Sequence, residues 1–259
     1  MRQACLLLVS ALACLAGLPA PARAAEPAAE PAPSKKKGFG LPENKGMGLA
    51  QLEALKVGWY YNWGNKTALN TRAVFVPMVF SAKRAAPANN AEYVLGFNEP
   101  DHPKQANMTV LEALEAWSTV TAKGRYAVAP AMAGNPLTGD WLPAFLKAKP
   151  KVDAIAVHWY KGADAKKFIA DLKAIHEAYG KPLWVTEYCP QTSASSEQSP
   201  DRYAAAQVAD FIAETSAWME QTDWVQRYAW HHPRAGSCRL FDDEGKLTPV
   251  GKAYAKDRR

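Results

Sequence analysis

The chain has 259 residues, 48% hydrophobic and 22% charged, with a formal net charge of +6. That hydrophobic share excludes a disordered chain, and four cysteines in this length exclude a disulfide-built scaffold. The basic excess is spread along the sequence apart from Lys35-Lys36-Lys37, so the clustered face of a nucleic-acid binder is missing and no nucleic-acid partner is expected.

Arg2 precedes an apolar stretch over 6–18, and Ala22-Arg23-Ala24 follows as an A-x-A cleavage site. This pattern predicts an export signal over 1–24. The stretch is too short to span a bilayer, and Gly17, Pro19 and Pro21 interrupt its end. The expected location is secreted or periplasmic, with no membrane partner after cleavage. Two cysteines then remain, Cys189 and Cys238, open either to a disulfide or to two free thiols. Residues 25–45 begin rich in Ala, Pro, Glu and Lys without apolar periodicity and read as a flexible linker. Residues 46–259 show no composition break and read as one folded domain.

The elements alternate. Strands are predicted over 56–61, 73–80 and 93–97. Thr109 with Glu112 three residues on forms a capping-box pattern and opens a helix. A strand over 126–130, a short helix over 140–149 and a strand over 154–159 follow. Asp164 caps a helix that Gly180 and Pro182 end. A strand over 183–186 comes next, then a helix opened by Ser199-Pro200, and a last strand over 225–230. Such alternation implies a parallel sheet. Seven strands without a Gly-rich nucleotide loop favour an α/β fold of the (β/α)8 TIM-barrel type. At this length it should be a small barrel, with an incomplete helix layer or one degenerate strand beside 49–55 or 239–241.

Two of these strands end in a glutamate and then break: Val94-Leu95-Gly96-Phe97-Asn98-Glu99-Pro100 and Leu183-Trp184-Val185-Thr186-Glu187-Tyr188. Carboxylates at the C-terminal ends of parallel strands lie at the mouth of the fold, where ligands bind. A facing pair is the chemical minimum for cleaving a glycosidic bond. Aromatic residues gather at the same ends: Trp59, Trp63, Trp159, Tyr160, Tyr188 and Trp230. Flat rings there suit the C–H face of a sugar. Strict alternation puts His158 and Tyr160 on one face and Gln226, Tyr228 and Trp230 on another; His158, Tyr160 and Trp230 are assigned to the cleft.

Asn98-Glu99-Pro100 resembles the acid/base strand of the large retaining clan of barrel glycoside hydrolases, and Thr186-Glu187-Tyr188 is similar to its nucleophile strand. More narrowly, the domain resembles glycoside hydrolase family 128. The matching segments are the run from Lys56 to Trp63, the run from Leu95 to Asp101, Val157-His158-Trp159-Tyr160, Trp184-Val185-Thr186-Glu187-Tyr188 and Tyr228-Ala229-Trp230. The resemblance implies a monomeric retaining hydrolase of β-1,3-glucan, endo-acting, with no cofactor. It implies Glu99 as acid/base and Glu187 as nucleophile. Asn98, Trp59, Tyr61, His158, Tyr160, Tyr188 and Trp230 would then bind substrate. Trp230-His231-His232-Pro233 departs from the aromatic-rich run expected after that tryptophan.

Other chemistries find less support. Adjacent His231 and His232 face opposite ways on a strand and no HExxH occurs, so no metal is expected. No GxSxG elbow is present for an esterase. A non-catalytic β-glucan-binding barrel would need neither glutamate. A retaining hydrolase of β-1,4-linked polysaccharide remains the rival enzyme.

Overall fold

The computed structural model describes residues 32–84, 90–192 and 194–256; the export signal expected over 1–24 lies outside them. Eight parallel strands are formed: β1 (Lys37–Gly40), β2 (Trp59–Tyr61), β3 (Val74–Phe75), β4 (Ala91–Leu95), β5 (Gly124–Val128), β6 (Ile155–Trp159), β7 (Leu183–Tyr188) and β8 (Val225–His231). The hydrogen-bonded order β3-β2-β1-β8-β7-β6 makes one sheet, and β4-β5 a second. Single bridges join them. The Met78↔Leu95 bridge links the segment just past β3 to β4, with Val79 N–H donating to Leu95 O at 3.0 Å and Leu95 N–H to Pro77 O at 2.9 Å. Ala129 N–H to Ala154 O at 2.9 Å links β5 to β6. Following neighbours in this way passes once around a (β/α)8 barrel.

Helices follow six of the eight strands: α1 (Leu49–Leu55), α2 (Val110–Thr121), α3 (Trp141–Lys147), α4 (Ala165–Tyr179), α5 (Ala205–Gln221) and α6 (Pro249–Ala255). Among the described residues no α-helix directly follows β2 or β3, so the helix layer they form is incomplete. The caps are those the sequence signalled. Thr109 Oγ1 accepts from Glu112 N–H at 3.2 Å, and Glu112 Oε2 accepts from Thr109 N–H at 2.7 Å. Asp164 Oδ1 accepts from Lys167 N–H at 2.9 Å, and Gly180 ends α4 at φ 61. The α5 start differs. Residues before Ala205 form a loop tied by the Asp201 carboxylate, which accepts from Thr192 N–H and, at 3.0 Å, from Thr192 Oγ1. That loop walls the cleft, and the Ser199-Pro200 start signal yields to it.

The eighth strand lies in the segment expected as linker. β1 sits between β2 and β8 and is buried throughout. The two candidates near it are α1 and a loop instead. Lys36 and Lys37, which the sequence suggests are solvated, have structural partners. Lys36 Nζ donates to Met219, Glu220 and Thr222 carbonyls at 3.1, 3.0 and 3.0 Å, closing the C-terminus of α5. Lys37 Nζ donates to Tyr254, Ala255 and Lys256 carbonyls at 3.3, 3.4 and 3.3 Å, closing that of α6. A cation there satisfies orphan carbonyls and meets the negative end of the helix dipole. Gly38 is needed because a Cβ would run into the Trp59 ring.

Apolar burial divides between the helix–sheet layer and the barrel interior. Inside, Ala131, Ala154, Ala156 and Ala229 leave room for Trp59 and Trp184. The Arg227 guanidinium lies over the Tyr93, Trp184 and Trp59 rings at 4.4, 4.8 and 5.5 Å, a stack of cation–π contacts that plugs the barrel. The floor beneath the cleft is therefore solid.

Lys37→Met should lower unfolding free energy by about 1.5–3 kcal/mol, the worth of charge-assisted hydrogen bonds. Urea denaturation measures this. An unchanged midpoint would mean the cap contributes nothing.

Candidate active site

Glu99 and Glu187 both reach one cleft at the C-terminal ends of β4 and β7. Two features aim them. On β7 the pairing runs Val157↔Val185 and then His158↔Glu187, so Thr186 is an extra residue. Its bulge flips the alternation: Trp184 and Glu187, three apart, both face inward. Beyond β4 the chain takes Glu99 through the left-handed region at φ 47, uncommon for a residue with a Cβ and costing on the order of 1 kcal/mol. Glu99 N–H to Ala131 O at 2.8 Å and His102 N–H to Glu99 O at 3.0 Å hold it there.

Glu187 is gripped from several sides. Trp63 Nε1–H and Tyr61 O–H donate to Oε1 at 2.8 and 3.1 Å, and Tyr160 O–H donates to Oε2. His231 Nδ1 lies 3.5 Å and His158 Nδ1 3.6 Å from Oε2. Burial pushes the carboxyl up, but His158, His231 and the Tyr160 and Trp63 hydrogen bonds outweigh it and hold it below the ordinary glutamate value. It is ionised at neutral pH. Burial and the charge of Glu187 push the Tyr61 and Tyr160 phenols well above their ordinary value, so both remain donors.

Glu99 Oε1 is paired with His158 Nδ1 at 2.8 Å. Burial pushes His158 down; the Glu187 charge and the Glu99 contact outweigh it and leave it above the ordinary histidine value. An oxygen of Glu99, a nitrogen of His158 and an oxygen of Glu187 lie within 4.8 Å of one another. This spacing would also allow a metal ion, but the two carboxylates already accept from indole, phenol and imidazole groups. Asn98 sits beside them. Its Nδ2 donates to Gln105 Oε1 at 3.4 Å, its Oδ1 is buried without a hydrogen-bond partner, and the residue lines the cleft.

The cleft has a volume of about 1080 Å³. Lys45, Lys66, Glu197 and Arg234 also line it. Of the residues expected to bind substrate, Asn98 and Tyr160 line it, while Tyr61 and His158 lie beneath and hold the glutamates. Trp59, Tyr188 and Trp230 are fully buried elsewhere, which corrects their assignment. Trp59 packs in the barrel interior with Nε1 donating to Lys36 O at 2.8 Å. Tyr188 and Trp230 face the helix layer with ring centroids 5.0 Å apart, and Trp230 Nε1 donates to Cys238 O at 3.0 Å. A bulge is the reason again. Leu183↔Val225 is followed by Trp184↔Arg227, so Gln226 is extra and Arg227, Ala229 and His231 turn inward in place of Tyr228 and Trp230. Trp63, Gln105 and His231 are site residues the sequence reading did not assign. Trp63 had its strand-end position as a signal; the other two had none. Cys189 and Cys238 are free thiols, both buried.

An eight-stranded parallel barrel with paired glutamates at the ends of its fourth and seventh strands is the arrangement of the barrel glycoside hydrolases. The family model described as the glycosyl hydrolase catalytic core matches residues 39–254, and the chain belongs to that family, as a member of glycoside hydrolase family 128. It is similar to a subgroup I endo-β-1,3-glucanase of Amycolatopsis mediterranei, solved with laminaripentaose, at 29% identity over 86% of this chain and 99% of that chain, TM-score 0.75. A subgroup V exo-β-1,3-glucanase of Cryptococcus neoformans is 25% identical over 85% of this chain and 98% of that chain, TM-score 0.70. A subgroup VII oligosaccharide-binding protein of the same organism shares the fold at 23% identity over 86% of this chain and 95% of that chain, TM-score 0.71. Among curated proteins no sequence match was found.

Trp230→Ala should cost about 3–5 kcal/mol of stability, the range for truncating a core aromatic, and leave oligosaccharide affinity of the folded protein unchanged. Calorimetric melting and binding titration separate the two; weakened binding without a stability loss would restore Trp230 to the cleft.

His158 ties stability to pH. Its folded value is raised, so its stabilisation is complete below about pH 6.5, the ordinary histidine value, and is lost as pH rises through the raised value. The gap in melting temperature between wild type and His158→Gln should therefore narrow on the alkaline side. A gap that widens there would contradict this reading.

Proposed function

We propose that the protein is an exported, retaining endo-β-1,3-glucanase acting by double displacement. The observation that carries the reading is the catalytic pair: oxygens of Glu99 and Glu187 within 4.8 Å, with Glu187 held ionised. Retaining enzymes place their carboxyls about 5–5.5 Å apart and inverting ones about 6.5–9.5 Å, leaving room for water. The close spacing here supports retention.

Glu187 attacks the anomeric carbon while Glu99 delivers a proton to the leaving oxygen. The His158–Glu99 hydrogen bond is where that proton is held. Glu99, now a carboxylate, next takes a proton from water, which attacks the same carbon and frees Glu187. Trp63, Tyr61 and Tyr160 aim the nucleophile without neutralising it, because none of them gives up its proton. Asn98, which lines the cleft, hydrogen-bonds a sugar hydroxyl, a contact that strengthens as charge develops on the ring. The cleft exceeds the roughly 300–1,000 Å³ of small-ligand pockets, which suits several sugar units. The linkage and internal cleavage follow the endo-β-1,3-glucanase relative that binds laminaripentaose. Export follows the leader pattern over 1–24. A binding role without chemistry has an oligosaccharide-binding protein of like fold beside it, but it gives no reason for an ionised Glu187 contacted by five side chains beside Glu99.

Time-resolved proton NMR during hydrolysis of soluble β-1,3-glucan should show the β-anomer first, with longer fragments preceding glucose. Glu187→Gln should lower turnover by several orders of magnitude. Glu99→Gln should do the same on glucan and less on activated aryl glycosides, which need little protonation. First release of the α-anomer, or full turnover by either variant on glucan, would overturn the mechanism. Cleavage confined to β-1,4-glucans would overturn the linkage.

A further inference from the structure

His231 ends β8, and the Gln226 bulge turns it inward, over Glu187. Its ring stands edge-on to Tyr160 at 5.5 Å and 90°, and to Trp63 at 6.1 Å and 80°. Nδ1 is buried and has no hydrogen-bond partner; at 3.5 Å from Glu187 Oε2 it is beyond ordinary hydrogen-bond length. The rest of the ring lines the cleft, with the side chain 29% exposed. Glu187 already has hydrogen bonds from Trp63, Tyr61 and Tyr160, so its orientation does not call for a histidine at this position.

A histidine does two things there that an apolar ring does not. Next to a carboxylate the favoured neutral tautomer carries its proton on Nδ1, because a lone pair on that atom would face the lone pairs of Glu187. Nε2 is then an acceptor on the cleft side. The imidazole also changes charge with pH beside the nucleophile.

We infer that His231 is a specificity-determining residue of this cleft: its Nε2 accepts a hydrogen bond from a hydroxyl of the sugar seated over Glu187, and protonation of that nitrogen in acid abolishes the contact and draws Glu187 into an ion pair. The second half rests on Glu187 acting as the nucleophile; the first does not. The charged and titratable groups facing His231 come from five elements: Glu187 on β7, His158 and Tyr160 on or just past β6, Glu99 past β4, Tyr61 on β2 and Lys45 past β1. Burial pushes His231 below the ordinary histidine value, Glu187 and Glu99 pull it up, and His158 and Lys45 push it down. The ring is neutral at neutral pH, so the acceptor is present there and is lost as pH falls.

The test uses wild type, His231→Phe and His231→Gln. On laminaripentaose, His231→Phe should raise KM about three- to tenfold, the worth of one hydrogen bond, with a smaller change in kcat. His231→Gln offers an acceptor without a titration and should return KM towards wild type. In both variants the acid limb of kcat/KM should move, because the titration of His231 beside Glu187 is gone. Nitrogen-15 NMR of wild type should show the Nδ1–H tautomer, and the Nε2 signal should shift on adding laminaripentaose. A Phe variant with wild-type KM and an unmoved acid limb would overturn the inference, as would an Nε2 signal indifferent to sugar. Wild type that binds but hydrolyses no β-1,3-glucan would instead sink the glucanase reading. The Nε2 shift, which needs no turnover, would still decide the sugar contact.

Discussion

One extra residue in β7 decides what this barrel can do. Without the bulge at Thr186, alternation from Trp184 would send Thr186 and Tyr188 inward and bury Glu187 against the helices. With it, Glu187 enters the cleft, and Tyr188 packs against Trp230 outside the barrel. The surrounding groups then act on a carboxylate already in place. Trp63 and Tyr61 come from the end of β2, Tyr160 and His158 from the end of β6, and each meets Glu187 because these ends converge. A side chain nearly enclosed by protein remains ionised since donors replace the water it lost.

The same economy appears at the other glutamate. Glu99 accepts a left-handed backbone that two main-chain hydrogen bonds stabilise, and its carboxyl meets His158. Rigid walls support both. Small alanines and a stacked Arg227 fill the barrel interior, so the cleft floor has little freedom to relax. At the N-terminal edge, Lys36 and Lys37 bind the carbonyl ends of α5 and α6, which fastens β1 between β2 and β8. Gly40 on that strand leaves space that an added Cβ would take within 3.1 Å of both Tyr61 Oη and the Trp63 ring. Strand β1 thus bears directly on the donors to Glu187.

Much of this was legible in the sequence. The two glutamate strands announce themselves as short apolar runs ending in Glu99 and Glu187, and they prove to be the fourth and seventh. Thr109, Asp164 and Gly180 mark their helix boundaries through local chemistry that tertiary contacts leave alone. β1 was hidden because Lys-Gly-Phe-Gly has neither an apolar run nor β-favouring residues apart from Phe39; its pairing comes from neighbours on both sides. Trp230 and Tyr188 were misplaced because alternation assumes an unbroken ladder, and a bulge leaves no mark in composition. His231 followed the same parity into the cleft unannounced.

The most direct test of the central claim is to trap the enzyme. A 2-deoxy-2-fluoro laminaribiosyl fluoride slows both displacement steps and, with its good leaving group, lets the covalent intermediate accumulate. Mass spectrometry of the digested protein should find one sugar adduct, on the peptide containing Glu187, and fragmentation should place it on that residue. An adduct on another carboxylate would contradict the account, as would rapid turnover of an unfluorinated laminaribiosyl fluoride with inversion and no adduct.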